Sequence, residues 1–541
     1  MIRALMLALL VVGPEADPID REIGQRAKGP LAGPASDAEF LRRASLDLAG
    51  IVPTAAEARA FLEDKDPSKR GKLVDRLLAS PEHAHRMEQA FTVMFLERRS
   101  GTLVPDAQWR EFLRRSFEAN EPWDQVVRKL LLADGKEPES RAGMKFMADE
   151  GKLDPHRLTT DIGRLFLGMN LLCAQCHDHP TVGEYKQADY MGLYAYVSQS
   201  KVHQDPKTKQ AMLVESPATG KVEFSSVFKP AVKNATGPRI PGGKELEIPV
   251  FEKGQEYEEP PVKGGSPGVP KFRPREHLAK DLPTASNRQF ARNAVNRFWF
   301  LLMGRGLVHP LDLDHKANPP SHPALLETLT DEFVAGGFDV KKLLRRIALS
   351  ESYGRSSLLP EGVSDKKIPP QSFRVAIPKP LSAEQLAYAL LQATGNLDRI
   401  GKAPAGGKFS TKDYLNGKQK EPPANLEQVL RFFSEIFGGA SGEPEVDFQP
   451  STTHALFLMN ERLVLQWLVP AEGNLVDRLS KIADAGAATE ELYLSVFTRL
   501  PDAEERAEAA AYLAKNATRR TEALGELAWA LLASAEFRLN H

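Results

Sequence analysis

Apolar residues at helical spacing, cut at short intervals by capping and breaking residues, set the main limit on how this chain can fold. Ser36 or Asp37 can cap a helix carrying Phe40, Leu41, Ala44, Leu46 and Leu48, and Gly50-Ile51-Val52-Pro53 breaks it. Thr54 with Glu57 forms a capping-box pair for the next helix, which ends before Asp66-Pro67-Ser68. Leu73, Leu77 and Leu78 continue the pattern up to Ser80-Pro81, and Trp109 to Ala119 and Trp123 to Leu132 repeat it. Past Asn287 the stripe returns with Phe290, Ala294, Phe298, Leu301 and Leu302, until Gly304-Arg305-Gly306 stops it. Ser321 as cap with Pro323 in the first turn predicts another helix, ended by Gly336-Gly337. Asp339 caps the one after, with Leu343, Leu344 and Ile347, and residues 425–540 are helical again. The expected fold class is mainly α.

One stretch breaks this pattern. Residues 201–280 hold 11 Pro, 8 Gly and 11 Lys, with strand-like pieces at Val222-Glu223-Phe224 and Leu246-Glu247-Ile248. A length of 541 residues implies more than one domain, and an apolar fraction of 42% suffices for sizeable cores. The expected organisation is a signal segment over 1–16, a helical domain over 17–200, a linker or small β-rich insertion over 201–280, and a second helical domain over 281–541.

The first residues carry an address. Met1-Ile2-Arg3 is a short basic start, Ala4 to Val12 is unbroken apolar, and Gly13-Pro14 breaks the run. That order is the order of a secretory signal and predicts export to the periplasm or beyond. The run falls far short of the roughly 20 residues that span a bilayer, so no transmembrane anchor is expected. With 71 basic against 72 acidic residues, the chain offers no polybasic face, and nucleic acid is not an expected partner.

Only two cysteines occur, three positions apart, too few for a disulfide framework in an exported protein of this size. They stand in Cys173-Ala174-Gln175-Cys176-His177. Two thiols at this spacing can each add across a haem vinyl group, and the adjacent imidazole can then ligate iron, so Cys173, Cys176 and His177 predict covalent haem c. Leu158, Ile162, Leu165, Phe166, Met169, Leu172, Cys173 and Cys176 fall on one helical face, so a single helix over 157–176 is expected to run into the pair. The tyrosine-rich stretch Tyr185 to Tyr196 is expected to pack the haem. Three other chemistries remain open. Zinc could use Cys173, Cys176, His179 and a distant histidine. A redox dithiol could use the thiols alone. The pair could also be two buried core cysteines. Candidates for a sixth iron ligand are Met144, Met147, His156, Met191 and His203, and five-coordinate iron is equally open.

A second cluster, His309, Asp312, Asp314, His315 and His322, could bind a metal or run acid–base chemistry, and its spacing matches no defined metal motif. No G-x-S-x-G, H-E-x-x-H or G-x-G-x-x-G occurs, so neither hydrolase nor nucleotide-binding chemistry is announced.

The stretches Phe40 to Gly50, Pro53-Thr54, Leu73 to Pro81 and Cys173 to Pro180 resemble a planctomycete cytochrome-associated domain of unknown function, of the PSCyt type. Asn287 to Arg292, Gly304 to Val308, Asn318 to Pro323 and Thr453 to Asn460 resemble its usual C-terminal partner domain, of the PSD type. The resemblance implies a link to cytochrome c chemistry through the Cys-His motif, and no enzymatic activity is carried over from it. The resulting expectation is an exported single-haem protein in electron transfer or redox sensing, served by an unidentified redox partner protein. The alternatives are a structural or interaction protein, with zinc or buried cysteines at the motif, and an enzyme using the loop 309–322.

Overall fold

The capping residues seen in the sequence start most of the helices they were assigned to. Ser36 accepts from the Glu39 amide to open Asp37–Leu48, and Thr54 and Glu57 complete a capping box at Ala55–Glu63. Asp339 opens Val340–Ala348, and Asn287, from which the pattern returned, proves to be the cap of Arg288–Met303. Ser321 is an exception. His322 takes the cap position of Pro323–Ala335 with no side-chain cap, and Ser321 Oγ lies 3.1 Å from His322 Nδ1 instead. The computed structural model describes residues 17–541 apart from 149–151, 365–367, 405–406 and 446–451. The expected signal segment, 1–16, lies outside the described residues.

Helices make up 52% of the structure, and strands occur among the described residues only as two-stranded pairs, so the fold is mainly α with short β pieces. None of the described helices is long and apolar enough to cross a membrane.

Two apolar cores organise the helices, and they do not follow chain order. The first draws on residues from Ile19 to Phe373, on both sides of the 201–280 segment, and on Leu494. At its centre Phe91 meets Trp123 at 4.9 Å and Phe298 at 5.4 Å, while Phe95 meets Phe146 at 5.7 Å and Phe166 at 5.9 Å between ring centres. Each such ring contributes about 2–3 kcal/mol through burial, and edge and tilted pairings add to this. The second core runs from Leu381 to Phe537 and includes Leu46 and Val52.

Asp37–Leu48 joins the two bodies. Phe40, Leu41, Ala44 and Leu48 face the first core and Leu46 the second, so every residue from Phe40 to Leu48 is buried. Its two arginines find internal acceptors for their terminal nitrogens, while Arg42 Nε has no partner among the described residues. Arg42 donates to the Val496 and Phe537 carbonyls at 3.1 and 2.7 Å, and Arg43 to those of Tyr353 and Arg355 at 2.5 and 2.7 Å.

Between residues 200 and 270 short strands pair two by two on the first body, while Pro274–Asp281, within the expected insertion, is a helix that puts Leu278 and Ala279 into the first core. Ser200–Gln204 pairs with Ala211–Glu215, Val222–Phe224 with Asn234–Thr236, and Tyr257–Glu259 with Val269–Pro270. The piece at 246–248 is not a strand: the Leu246 amide donates to Pro238 across a loop, which leaves no neighbouring strand to ladder with. The insertion is stitched down by the Arg239 amide on the Gly192 carbonyl at 3.0 Å and by the Val227 amide on the Cys176 carbonyl at 3.0 Å.

Candidate functional site at the Cys-His turn

The helix expected over 157–176 is instead Pro155–Leu167, followed by a separate short 3-10 turn, Leu172–Gln175. Gly168 ends the helix in the left-handed region at φ 66°. A Cβ there would lie 2.9 Å from Asn293 Oδ1 and 3.4 Å from the Leu311 carbonyl, so both conformation and space call for glycine. Periodicity carried the apolar stripe across this break because one glycine weighs little against eight matching positions.

The break changes the setting of the thiols. Cys173 and Cys176 are unpaired and exposed, so the buried core pair considered from the sequence is not what forms. The turn rests on the helix Gln187–Val197. Gln187 Nε2 donates to the carbonyls of Gln175 and Ser225, both at 3.2 Å, and so ties the turn to the insertion.

The His177 ring is oriented by its own loop. Its Nδ1 lies 2.6 Å from the Asp178 carbonyl oxygen, and because a carbonyl only accepts, Nδ1 carries the proton. In the neutral ring Nε2 then carries the lone pair. This is the arrangement that orients metal-ligating histidines and raises their basicity. The Asp178 carboxylate closes the loop by accepting from the Gln187 amide at 3.0 Å, and with Lys186 this holds it below the usual carboxylate range.

An apolar collar surrounds the turn. Leu172 is 56% exposed, Val227 59% and Phe228 75%, and the Phe228 ring lies 4.8 Å from that of His177. Val227 and Phe228 lie some fifty residues away in a Pro/Gly-rich segment, and no sequence signal connects them to the motif. The tyrosines expected to pack this site are turned inward: Tyr185, Tyr190 and Tyr196 are buried in the first core.

Other candidate residues have settled roles. His179 Nδ1 accepts from the Thr181 and Val182 amides at 3.3 and 3.1 Å, which braces the loop and places that proton on Nε2. Burial, with His315 and His177 nearby, lowers its basicity. Among the described residues no group of three or more His, Cys, Asp or Glu is placed to hold a metal ion. Met144 and Met147 are fully buried, and His156 stacks on Tyr194 at 4.5 Å while its Nδ1 meets the Tyr190 hydroxyl at 2.8 Å.

The loop 309–322 docks beside the Cys-His turn. The Asn170 amide donates to the Asp312 carbonyl at 2.8 Å, the Asp314 amide to Gly168 at 3.0 Å, and the Tyr185 hydroxyl to the Asp314 carbonyl at 3.1 Å. The Tyr185 ring stands between His179 and His315, 5.7 Å from each. The acids of this loop are consumed by arginines. Asp312 pairs with Arg164 at 3.2 Å and with Arg297, and Asp314 accepts from Gln289 at 2.9 Å and faces Arg292 at 3.5 Å. Burial works against the charge of Arg164, yet Asp312, Glu97 and Asp161 together hold its basicity above the ordinary value. Burial, with Arg26 adding a like charge, pushes His322 down to about 4, so it is neutral.

Fold and site thus define a mainly helical, two-core protein that presents a Cys-x-x-Cys-His turn on its surface. Residues 18–202 match PSCyt2, described as a protein of unknown function (DUF1549), and residues 274–513 match PSD1, described likewise (DUF1553). The chain belongs to the proteins that carry these two domains in this order. No curated protein and no solved structure matches it.

Proposed function

We propose that this chain carries one haem c, joined through Cys173 and Cys176 with His177 Nε2 as proximal ligand. In this reading it is an exported protein of electron transfer or redox sensing. The observation that carries the proposal is the His177 Nδ1 contact with the Asp178 carbonyl, which leaves Nε2 as a lone pair beside two exposed, unpaired thiols. The donor set fits the group: two thiols for attachment and one oriented imidazole for iron.

When bound, the haem supplies one-electron chemistry. The chain's own residues set the conditions for it. Asp178 and Gln187 hold the loop that aims His177. Leu172, Val227 and Phe228 offer apolar cover that lowers the local dielectric and so tunes a redox couple. The exposed position of the thiols leaves the site open to a redox partner protein at the surface. The charge-balanced sequence and the apolar start at 4–12 favour export without a role on nucleic acid.

The test is coexpression of the exported chain with haem-attachment machinery, followed by denaturation and mass spectrometry. The expected result is a mass increase of one haem, carried on the peptide spanning 173–177 and lost when both cysteines are replaced by serine. A mass equal to the bare polypeptide overturns the reading. Colourless protein that yields zinc to a chelator would place a metal there instead.

A further inference from the structure

Between the two cores lies a cleft of about 560 Å³, separate from the Cys-His turn, none of whose residues from Cys173 to His179 line it. Its charged residues are paired, with one exception. Arg164 and Arg297 bind Asp312, and Lys379 Nζ donates to Asp47 at 2.5 Å and to the Leu302 carbonyl at 2.5 Å. Arg86, on the helix Pro81–Leu96, is only 9% exposed and makes no hydrogen bond or ion pair among the described residues. Its aliphatic stem lies against Gly50, where a Cβ would come within 3.0 Å of it and where φ is +73°.

The acids that act on Arg86 electrostatically, Asp47 and Glu384, are already engaged. Asp47 accepts from Lys379, from Asn540 at 2.7 Å and from Tyr353 at 2.9 Å, while Glu384 accepts from Arg98 at 2.8 Å. A buried guanidinium left without a partner is costly, and folded proteins keep such groups satisfied. Here its free donors border a cavity.

We propose that this cleft binds a small organic monocarboxylate, with Arg86 taking the carboxylate. A guanidinium fork matches a carboxylate in two parallel hydrogen bonds. The wall around it is largely apolar, with Val93, Met94, Phe300, Ile377 and Phe437, which suits a hydrocarbon body on the ligand. Asp47, Asp312, Glu384 and Glu445 also line the cleft and disfavour a second negative charge, so phosphate and dicarboxylates fit poorly. Beside the cleft, Glu97 and Arg98 are consecutive left-handed residues at φ 46° and 54°. This turn sends Glu97 to Arg164 in the first body and Arg98 to Glu384 and Glu445 in the second. Backbone strain of this kind is characteristic of ligand clamps.

The experiment is isothermal titration of the full chain with benzoate and hexanoate, with benzamide and inorganic phosphate as controls. Saturable binding of at least one carboxylate is expected, weakened at least about tenfold in Arg86→Met, while benzamide and phosphate bind more weakly. Circular dichroism and an unchanged or raised Tm show that the variant is folded, since it removes an unpaired buried charge. Should it not fold, Arg86→Lys carries the same reading, with weakening of about tenfold expected because the ammonium lacks the fork. No saturable binding of either carboxylate up to about 10 mM overturns the proposal. So does equal binding by the folded variant, or tighter binding of benzamide or phosphate.

Discussion

Two stretches of similar chemistry lie side by side in this protein in opposite states. Cys173 to His179 and His309 to His322 are both rich in histidine and acid, and Tyr185 touches a histidine of each. In the second, the carboxylates of Asp312 and Asp314 are saturated by Arg164, Arg297, Gln289 and Arg292, and His322 is buried and neutral. In the first, the two thiols are exposed and unpaired, and one imidazole nitrogen is held while the other is left as a lone pair. Density of reactive residue types is therefore a poor guide to chemistry. What separates a reactive site from a structural one is whether neighbouring elements have already used the donors and acceptors.

Asp312→Ala offers the sharpest way to break this contrast. It leaves the buried Arg297 without a carboxylate and takes one of three from the buried Arg164, and removal of one member of such a network costs about 3–5 kcal/mol. Urea unfolding measures it, and a loss below ~1 kcal/mol would mean that the loop is held by something other than its acid. A smaller effect is expected from pH. His322 is depressed from 6.5 to about 4, so the folded state refuses a proton that the unfolded chain accepts. Stability is then complete above about pH 6.5 and declines as pH falls towards 4. Between pH 7.5 and 5, His322→Gln should lose on the order of 1 kcal/mol less than the parent, after allowance for solvent screening. Equal slopes would remove His322 from the buried side of the comparison. The smallest change belongs to the turn itself. Replacing Cys173 and Cys176 together by serine in haem-free protein should shift stability by no more than about 0.5 kcal/mol, because exposed thiols pack against little. A fall of more than ~2 kcal/mol by the same urea measurement would make the pair structural after all.

Local signals located most of the helices because caps act within one turn. Thr54 with Glu57, Asn287 and Asp339 each bond an amide three positions on, a relation written in consecutive residues. The same locality explains the errors. The helix over 157–176 required Gly168 to continue it, but Gly168 turns left-handed, its carbonyl accepting from the Asp314 amide while Asn170 donates to Asp312, more than a hundred residues away. Ser321 had the composition of a cap, but its hydroxyl turned to His322.

For the candidate site the division is similar. The sequence alone determined the spacing of Cys173, Cys176 and His177, the mainly α class and the two successive domain families, because each depends on residue order within short stretches. Only the tertiary structure decided that the thiols are exposed, that Val227 and Phe228 cover the turn, and that helices from both sides of the insertion share one core. It alone left Arg86 buried at a cleft without a partner. Burial and the satisfaction of polar groups are set by which distant surfaces meet, and that is a property of packing rather than of order along the chain.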